Sequence, residues 1–454
     1  MGRLIAISNR TAADSGSRAG GLAVAVWDAL KASGGVWVGW SGDIVETPPR
    51  GFNVVEDDGV EFNLTDLTQD EHDGYYVAYA NRVLWPIFHY RIDLSSFDET
   101  SFGVYAQVNQ RIAALTASRL RDDDLVWVHD YHLMLFGDYL RREGWRGRVG
   151  FFLHIPFPAP EIFRALPEHQ WISRAMCAYD VIGFQSEQDR ANFVRYLVED
   201  CEGVERDDGR VDAFNASPIV RVYPIGIDAQ SVAESSKSEK AEEAISRISP
   251  FLGNRSLVIG VDRMDYSKGL PQRFEAVGQL FDSFPDVHGT VAVTQIAPPS
   301  RSKVEEYQEL RRTLDALAGR INGDYGDLDW LPLRYLARPY WRDELAGLFR
   351  LAKVGLVTPL RDGMNLVCKD FIMAQEPEDP GVLILSEFAG AAEKLKSAII
   401  VNPHNTYKFA EAIHHALAMP LEERRSRWNQ LREIVETEDI DWWRENFMRD
   451  LAGG

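Results

Sequence analysis

The chain alternates short runs of β-branched and apolar residues with longer amphipathic stretches, and this alternation constrains its fold more than any other feature. A strand followed by a helix and a further strand is the pattern of βα units around a parallel sheet. Six strands are predicted in each half of the chain. They cover residues 4–7, 36–40, 125–129, 149–154, 181–184, 220–223, 256–261, 290–295, 331–335, 354–358, 382–385 and 399–401.

The length of 454 residues is too great for one ordinary hydrophobic core, so two or three domains are expected. The polar, charge-rich segment 229–249 separates the two halves and is predicted to contain a linker and the first helix of a second domain. Near the end of the sequence, Trp442, Trp443 and Phe447 are too aromatic for a free tail, so this segment is predicted to dock on a domain surface. We therefore predict two α/β domains in tandem.

The net charge of −20 argues against nucleic acid as a partner, because nucleic-acid-binding proteins carry basic surfaces. No apolar run approaches the length that spans a membrane, and the first residues lack a signal-peptide pattern, so no membrane association is expected. The three scattered cysteines indicate a reducing compartment and no zinc framework. A cytoplasmic protein is the expectation.

Polar side chains follow several of the predicted strands at their carboxyl ends: Arg10, His129–Asp130, His154, Arg263 and Asp362. Ligands of open α/β sheets bind at this edge. Two such edges facing each other would form a deep cleft in which two substrates could meet away from water.

Residues 361–370 contain the turn that is richest in polar and charged side chains. Arg361, Asp362 and Asn365 lie there between a predicted strand and a predicted helix. The backbone N–H groups at such a helix start bind anions. Two acids eight residues apart, Asp362 and Asp370, could bind hydroxyls beside the anion. A phosphate together with sugar hydroxyls indicates a nucleotide-sugar.

Other segments add weaker signals. Gly20–Gly21 at a helix start could approach a phosphate or form an ordinary tight turn, and neither G-x-G nor a Walker A loop occurs. Arg263 and Lys268 flank a loop suited to a diphosphate, and Arg301 follows the next strand; the alternative for each is a surface cation. His129 and His132 could share a face, but no further metal-ligand cluster is visible, so a metal is not predicted.

Aromatic residues beside turns form a further group: Trp40, Tyr76 and Trp85. Their rings suit the apolar faces of sugars, although core packing explains most tryptophans equally well.

Taken together, these segments resemble the trehalose-6-phosphate synthase family, retaining glycosyltransferases of the GT-B type. The resemblance covers nearly the whole chain. It is carried by residues 8–10, 19–22, 40–42, 75–76, 84–91, 127–133, 150–158, 223–227, 265–270, 319–323 and 361–370. It implies two Rossmann-like domains facing across a central cleft: an acceptor-binding domain over 1–235, a nucleotide-sugar-binding domain over 236–425, and a helical segment over 426–454 that crosses back to the first domain.

The resemblance also implies transfer of glucose from UDP-glucose to glucose 6-phosphate, giving α,α-trehalose 6-phosphate, without a cofactor or metal and with a possible homodimer or homotetramer. The implied catalytic residues are Arg263, Lys268, Asp130, His154 and Asp362. The implied donor-binding residues are Gly20, Gly21, Arg263, Lys268, Tyr340, Asp362, Asn365, Leu366, Val367, Cys368, Lys369 and Asp370. The implied acceptor-binding residues are Arg10, Trp40, Tyr76, Trp85, Asp130 and Arg301, with Trp85 and Pro156 selecting the anomer.

Asp370 departs from the family pattern, which usually has Glu as the presumed ribose ligand. Two alternatives stay open at this point. One is a sister activity, such as glucosylglycerol-phosphate synthase, which uses a smaller phosphorylated acceptor. The other is a catalytically silent sugar-phosphate sensor, against which the presence of Arg263, Lys268 and Asp362 argues.

Overall fold

The computed structural model describes residues 2–11, 26–27, 30–31, 34–300 and 305–453. They form two compact units, one made of residues up to 224 together with residues from 443 onward, the other of residues 225–442. Each of the twelve predicted strands is present, with its ends shifted by at most three residues, except that the strand predicted over 36–40 extends to residue 45. Three predicted site residues, Gly20, Gly21 and Arg301, lie outside the described part of the chain.

Unit 1 is built on an eight-stranded sheet in the order β10-β7-β6-β5-β1-β2-β4-β3. All neighbours are parallel except β3 and β4, which are antiparallel. A small antiparallel hairpin, β8–β9, lies outside this sheet. The strands are β1 Leu4–Arg10, β2 Val36–Val45, β3 Asn53–Asp57, β4 Val60–Thr68, β5 Leu125–His129, β6 Val149–Phe152, β7 Val181–Phe184, β8 Val204–Glu205, β9 Val211–Asp212 and β10 Ile219–Val222.

The helices of unit 1 include an extended π-helical segment, His72–Leu84, in which the backbone hydrogen bonds reach one residue further than in an α-helix. The α-helices are Gln69–Glu71, Trp85–Phe88, Ser101–Ala117, Phe136–Arg142, Pro160–Phe163, His169–Met176 and Glu187–Asp200, with 3₁₀ turns at Ile92–Leu94 and Tyr131–Leu133. Ser186 caps the last of these α-helices by accepting a hydrogen bond from the Asp189 N–H.

Unit 2 is built on a six-stranded, wholly parallel sheet in the order β13-β12-β11-β14-β15-β16. The strands are β11 Ser256–Val261, β12 Val291–Ile296, β13 Leu333–Leu336, β14 Val354–Val357, β15 Val382–Ser386 and β16 Ile399–Val401. The α-helices are Ala229–Ser235, Glu239–Leu252, Leu270–Ser283, Glu305–Tyr325, Arg342–Leu351, Leu366–Ala374, Thr406–Ala418 and Leu421–Thr437, with 3₁₀ turns at Tyr266–Lys268, Pro285–Val287 and Gly390–Glu393. The following helix, Ile440–Ala452, begins in unit 2 and belongs to unit 1 from Trp443 onward. No helix in the described residues is long and apolar enough to cross a membrane.

Each sheet reverses its strand order at one place. In unit 1 the chain moves outward from β1 through β2 and then returns to add β5 on the other side of β1. In unit 2 the same reversal occurs at β11, which has β12 on one side and β14 on the other. Such switch points open a crevice at the carboxyl ends of the strands, where ligands bind. Among the predicted site residues that the structure describes, Arg10 ends β1, Asp130 follows β5, and Arg263 and Lys268 lie in the turn after β11, so these four lie at the two switch points.

The helix Ile440–Ala452 supplies part of the core of unit 1 through Trp443, Phe447 and Leu451, all of which are fully buried. The Phe447 ring stacks on Trp127 of β5, with ring centroids 4.6 Å apart. Close packing is possible because β6 has glycine at position 150, where a Cβ atom would lie 2.8 Å from the Phe447 ring. The aromatic end of the sequence is therefore core, in agreement with its composition.

Replacing Gly150 by alanine is expected to lower the free energy of unfolding by about 1–3 kcal/mol, because the added methyl group overpacks the contact with Phe447. Urea unfolding followed by tryptophan fluorescence measures the change. The matched control is Gly103→Ala in the helix Ser101–Ala117, where an added Cβ meets nothing within 4 Å. The control is expected to be neutral or stabilising; an equal loss in both variants would contradict the packing explanation.

Candidate functional site

The candidate site in unit 1 begins with Arg10, the last residue of β1. Its guanidinium carbon lies 5.7 Å from the centre of the Trp40 ring on β2, a cation–π contact. Gly42 makes room for the Arg10 side chain, because a Cβ atom there would lie 2.5 Å from Arg10 Nη2, and its φ of +105° also favours glycine. Arg10 is exposed, so its charge can contact a ligand at the sheet edge.

Aromatic rings continue this edge. Tyr76, on the π-helical segment, lies 5.9 Å from the Trp40 ring and stacks on His132 at 5.8 Å with the rings nearly parallel. The widened helix holds Tyr76 in place because Asn81 Nδ2 donates a hydrogen bond to the Tyr76 carbonyl at 2.7 Å. The structure therefore brings Arg10, Trp40 and Tyr76 together as one cation–aromatic surface, and their predicted role in binding the acceptor stays a prediction.

Asp130 and His154 meet at the carboxyl ends of β5 and β6. Asp130 adopts φ +75°, and its Oδ1 accepts a hydrogen bond from the His154 N–H at 3.2 Å. His154 Nε2 lies 3.2 Å from Nδ1 of the buried His129. Burial lowers the pKa of His154 to about 3, so its imidazole is neutral at physiological pH and suits a hydroxyl rather than a phosphate.

Two neighbours of His154 were missed as site residues. The first is Gln185, whose Nε2 lies 3.5 Å from His154 Nδ1. The second is His129, which the sequence places at a strand end but to which no substrate-binding role was assigned. Gln185 follows β7 directly, so the strand-end rule that selected Asp130 and His154 could also have selected it.

Trp85 and Pro156 are both buried, and Trp85 packs against His89 with ring centroids 4.1 Å apart. The Trp85 ring also lies 5.6 Å from Tyr131. The predicted role of these two residues in selecting the anomer stays a prediction.

The candidate site in unit 2 is centred on three polar side chains from two turns. Lys268 Nζ forms an ion pair with Asp362 Oδ2, and Asn365 Nδ2 donates a hydrogen bond to the same oxygen at 3.0 Å. Lys268 and Asp362 are only 13% and 15% exposed, so the pair is shielded from solvent on most sides. Since β11 and β14 are neighbours, the turns that follow them bring these residues together across 94 positions of sequence.

The helix Leu366–Ala374 begins beside this cluster. Asn365, which precedes it, has φ +71° and no side-chain cap, so the first backbone N–H groups of the helix are open to an anionic ligand. Close chain approach fixes the turn: a Cβ on Gly390 would lie 1.8 Å from the Gly363 carbonyl oxygen.

A buried ion pair links the strands that end at this edge. Arg273 Nη1 donates to Asp262 Oδ2 at 2.6 Å and to Gln295 Oε1 at 2.8 Å, while its Nε donates to Thr358 Oγ1 at 3.0 Å. Arg273 thereby ties together the ends of β11, β12 and β14. The exposed side chain of Arg263 follows directly after Asp262.

The residues inside the helix Leu366–Ala374 differ in what they contact. Cys368 is buried, and its thiol donates to the Asn365 carbonyl at 2.9 Å. Lys369 Nζ donates to the Ile225 carbonyl at 2.7 Å, and burial lowers its pKa to about 8. Leu366 and Val367 are partly exposed in the first turn. The Tyr340 hydroxyl accepts a hydrogen bond from Arg338 Nε at 2.8 Å rather than from another predicted donor-site residue.

Asp370 is a partly buried carboxyl group whose pKa is raised to about 6 by that burial. Because the folded-state pKa lies above the unfolded value, the folded protein binds the proton more tightly, and its stability falls as pH rises through this range. Asp370→Asn is therefore expected to raise the free energy of unfolding by about 1–3 kcal/mol near pH 8, with a gain smaller by about 1 kcal/mol near pH 5. Urea unfolding at both pH values measures this; a gain independent of pH would contradict it.

The edge in unit 1 thus carries an arginine, aromatic rings, a carboxylate and a neutral imidazole. The edge in unit 2 carries a lysine, an amide and a carboxylate. This chemistry defines a protein that binds phosphorylated, hydroxylated small molecules. Across the described residues, no group of three or more His, Cys, Asp or Glu side chains could hold a metal ion.

Comparison with known proteins identifies the family to which the chain is similar. The model of glycosyltransferase family 20 matches residues 6–453. The trehalose-6-phosphate synthase of Citrobacter koseri is 46% identical over 452 residues, which cover 99% of this chain and 95% of that protein.

Two solved structures are similar over nearly their whole length. The α,α-trehalose-phosphate synthase (UDP-forming) of Burkholderia vietnamiensis has a TM-score of 0.98 at 46% identity, covering 100% of this chain and 97% of that one. The corresponding Burkholderia xenovorans enzyme, solved in complex with glucose-6-phosphate, has a TM-score of 0.96 at 44% identity, covering 99% and 100%. The chain therefore belongs to glycosyltransferase family 20, and the predicted family and α/β fold class with two Rossmann-like domains are confirmed.

Proposed function

We propose that this chain is a retaining glucosyltransferase that transfers glucose from UDP-glucose to glucose 6-phosphate, forming α,α-trehalose 6-phosphate and UDP. The observation that carries this proposal is the Lys268–Asp362–Asn365 cluster beside an open helix N-terminus, in a chain 46% identical to a trehalose-6-phosphate synthase over nearly its full length. A cation, an acid and free backbone N–H groups are the partners that a nucleotide-sugar requires.

The donor is proposed to bind unit 2. Arg263 and Lys268 stabilise the negative charge that builds on the departing diphosphate. Electrostatic stabilisation of this kind is the largest contribution to the rate enhancement of many enzymes. Asp362, together with His154, contacts the hydroxyls of the transferred glucose. The remaining proposed donor contacts are the backbone of residues 366–370, the Asp370 carboxylate on the ribose, Tyr340 near the base, and Gly20 and Gly21.

The acceptor is proposed to bind unit 1. Arg10 and Tyr76 contact its phosphate together with Arg301, and Trp40 supports Arg10 through the cation–π contact. Asp130 accepts hydrogen bonds from the acceptor's hydroxyls. Trp85 and Pro156 are proposed to shape the pocket for one anomer.

Because Arg263 and Lys268 can supply the positive charge that a divalent cation supplies in other transferases, we propose a reaction without metal. Treatment with millimolar EDTA is expected to leave kcat unchanged within about twofold, since the cations at this edge are side chains. The measurement is the initial rate of UDP release before and after treatment. A loss of activity that Mg²⁺ restores would contradict this prediction.

The proposal also covers the location, the ligands, the oligomeric state and the domain division of the protein. All three cysteines are free thiols, which supports a reducing, cytoplasmic location. We propose small-molecule substrates alone as ligands, no nucleic acid or membrane partner, and a homodimer or homotetramer, which light scattering would test. The division into an acceptor-binding domain to residue 235, a donor-binding domain to residue 425 and a returning helical segment stays a prediction.

The decisive experiment measures UDP release by purified protein from UDP-glucose with either glucose 6-phosphate or glycerol 3-phosphate. Release with glucose 6-phosphate, and a product whose two anomeric carbons are both α by NMR, is the expected result. Release only with glycerol 3-phosphate would establish the sister activity instead. No release with either acceptor, together with retained binding of the sugar phosphate, would establish a sensor.

A further inference from the structure

A fully buried histidine lies behind His154 in unit 1. His129, the last residue of β5, has no exposed surface, and its Nδ1 lies 3.2 Å from His154 Nε2. The His129 ring also packs against Trp127 and Trp443, whose ring centroids lie 4.6 and 6.3 Å away. Because His129 is closed to substrate, any effect that it has on a reaction must pass through His154.

The contact between the two imidazoles contains one proton. Burial lowers the pKa of His129 well below its usual value and the pKa of His154 to about 3, so both rings are neutral at physiological pH. A neutral imidazole carries one N–H group and one lone pair. Either His129 Nδ1–H donates to His154 Nε2, or His154 Nε2–H donates to His129 Nδ1. The two arrangements place opposite groups on the outer nitrogens, His129 Nε2 and His154 Nδ1.

The surroundings of His129 Nε2 favour the first arrangement. This nitrogen is buried and has no hydrogen-bond partner among the described residues. The indole N–H groups of Trp127 and Trp443 are likewise buried without an acceptor in the described part of the chain. Indole is a donor only, so an N–H group on His129 Nε2 would be a third buried donor beside two that already lack an acceptor. A lone pair on Nε2 avoids this cost, and the His129 proton then lies on Nδ1.

One contact favours the second arrangement, and it is weak. Gln185 Nε2 lies 3.5 Å from His154 Nδ1, which is at the outer limit of a hydrogen bond. Rotation of the Gln185 amide by half a turn would present its oxygen, an acceptor, to the same nitrogen. This contact therefore does not outweigh the buried donors around His129.

We propose that His129 is a positioning residue whose Nδ1–H donates to His154 Nε2 and thereby places the His154 proton on Nδ1. Which nitrogen of a histidine carries the proton is set by the bond that the other nitrogen makes. His154 is partly exposed, so its Nδ1–H can donate to a sugar hydroxyl in place of the long contact with Gln185. The role of this bond in glucose transfer rests on the proposed function, whereas the proton positions do not.

The test of the proton positions is ¹⁵N NMR of protein labelled at the Nδ1 atoms of histidine, because protonated and unprotonated nitrogens resonate far apart. The His154 signal is the one that is lost in His154→Gln. In the wild-type protein this signal is expected at the protonated position. In His129→Phe at least half of it is expected to move to the unprotonated position, since phenylalanine has no donor for Nε2 and Gln185 Nε2 then favours a lone pair on Nδ1. An unprotonated His154 Nδ1 in the wild-type protein, or no change in a folded His129→Phe variant, would overturn the proposal.

Steady-state kinetics tests what the bond does for the reaction. His129→Phe is expected to lower kcat/KM for UDP-glucose about tenfold, the effect of losing one well-placed hydrogen bond. The matched control is His169→Phe, a partly buried histidine of unit 1 that bonds to the Tyr196 hydroxyl, and it is expected to stay within about twofold of the wild-type value.

A double variant separates positioning from a general structural effect. Adding His129→Phe to His154→Gln is expected to cause no further loss, because His129 acts through His154. The same tenfold loss in that background would overturn the positioning role. Circular dichroism confirms that each variant is folded. If the wild-type protein released no UDP, the proposed function would fail, and the NMR experiment would still decide the proton positions.

Discussion

Replacing Lys268 by alanine is expected to lower kcat by about 10²–10³-fold with glucose 6-phosphate as acceptor, the loss typical when one preorganised group that stabilises a developing negative charge is removed. Lys268 is held by Asp362 in a turn that follows β11 and is largely shielded from water. Shielding matters because a charge acts more strongly where little solvent screens it. The ammonium group is therefore already placed before a substrate arrives.

Steady-state kinetics with varied UDP-glucose measures this effect. Lys394→Ala is the matched control, since Lys394 also forms an ion pair, with Glu438 at 2.8 Å, but is half exposed. The control is expected to keep kcat within about twofold of the wild-type value. If Lys268→Ala raised KM for the donor and left kcat unchanged, Lys268 would bind the ground state and not the transition state.

The second large effect concerns stability. Arg273→Leu is expected to lower the free energy of unfolding by about 3–5 kcal/mol, because it leaves the Asp262 carboxylate buried without its cation. Arg273 is 1% exposed and bonds to groups on or directly after three strands, so its loss also removes the link between them. Urea unfolding, with the transition followed by circular dichroism, gives the change.

A double variant separates the two causes of this loss. In Arg273→Met with Asp262→Asn, no buried charge is left unpaired, so part of the lost stability is expected to return. If the double variant were as unstable as Arg273→Leu, the link between the strands would be the dominant contribution. If Arg273→Leu alone cost less than about 1 kcal/mol, the ion pair would not stabilise this edge.

The sequence predicts the strands of this fold well and their arrangement only in part. Twelve strands follow from runs of apolar, β-branched residues, but β3 was missed because all its side chains are at least partly exposed and give no apolar signal. The neighbouring β4, with its largely buried pattern, could have been identified. The π-helical segment His72–Leu84 was not predicted, because π-helices are rare and the sequence patterns of ordinary helices and strands do not distinguish them.

The candidate site likewise has residues that the sequence can select and contacts that it cannot predict. The carboxyl ends of strands select Arg10, Asp130, His154 and Asp362 from sequence alone, because every parallel strand delivers its end to one edge. The pairing of Lys268 with Asp362 requires the knowledge that β11 and β14 are neighbours, which local patterns do not contain. The burial that shifts the pKa of Asp370 likewise depends on the whole surrounding fold.

The helix that supplies Trp443 and Phe447 to unit 1 also sets an order of events during synthesis. Unit 2 is a continuous stretch of chain, whereas unit 1 is assembled from two stretches with all of unit 2 between them. On the ribosome, the apolar surface around Trp127 and Gly150 therefore stays exposed to solvent until the helix Ile440–Ala452 has been synthesised and has emerged. The domain that is translated first is the one that finishes folding last.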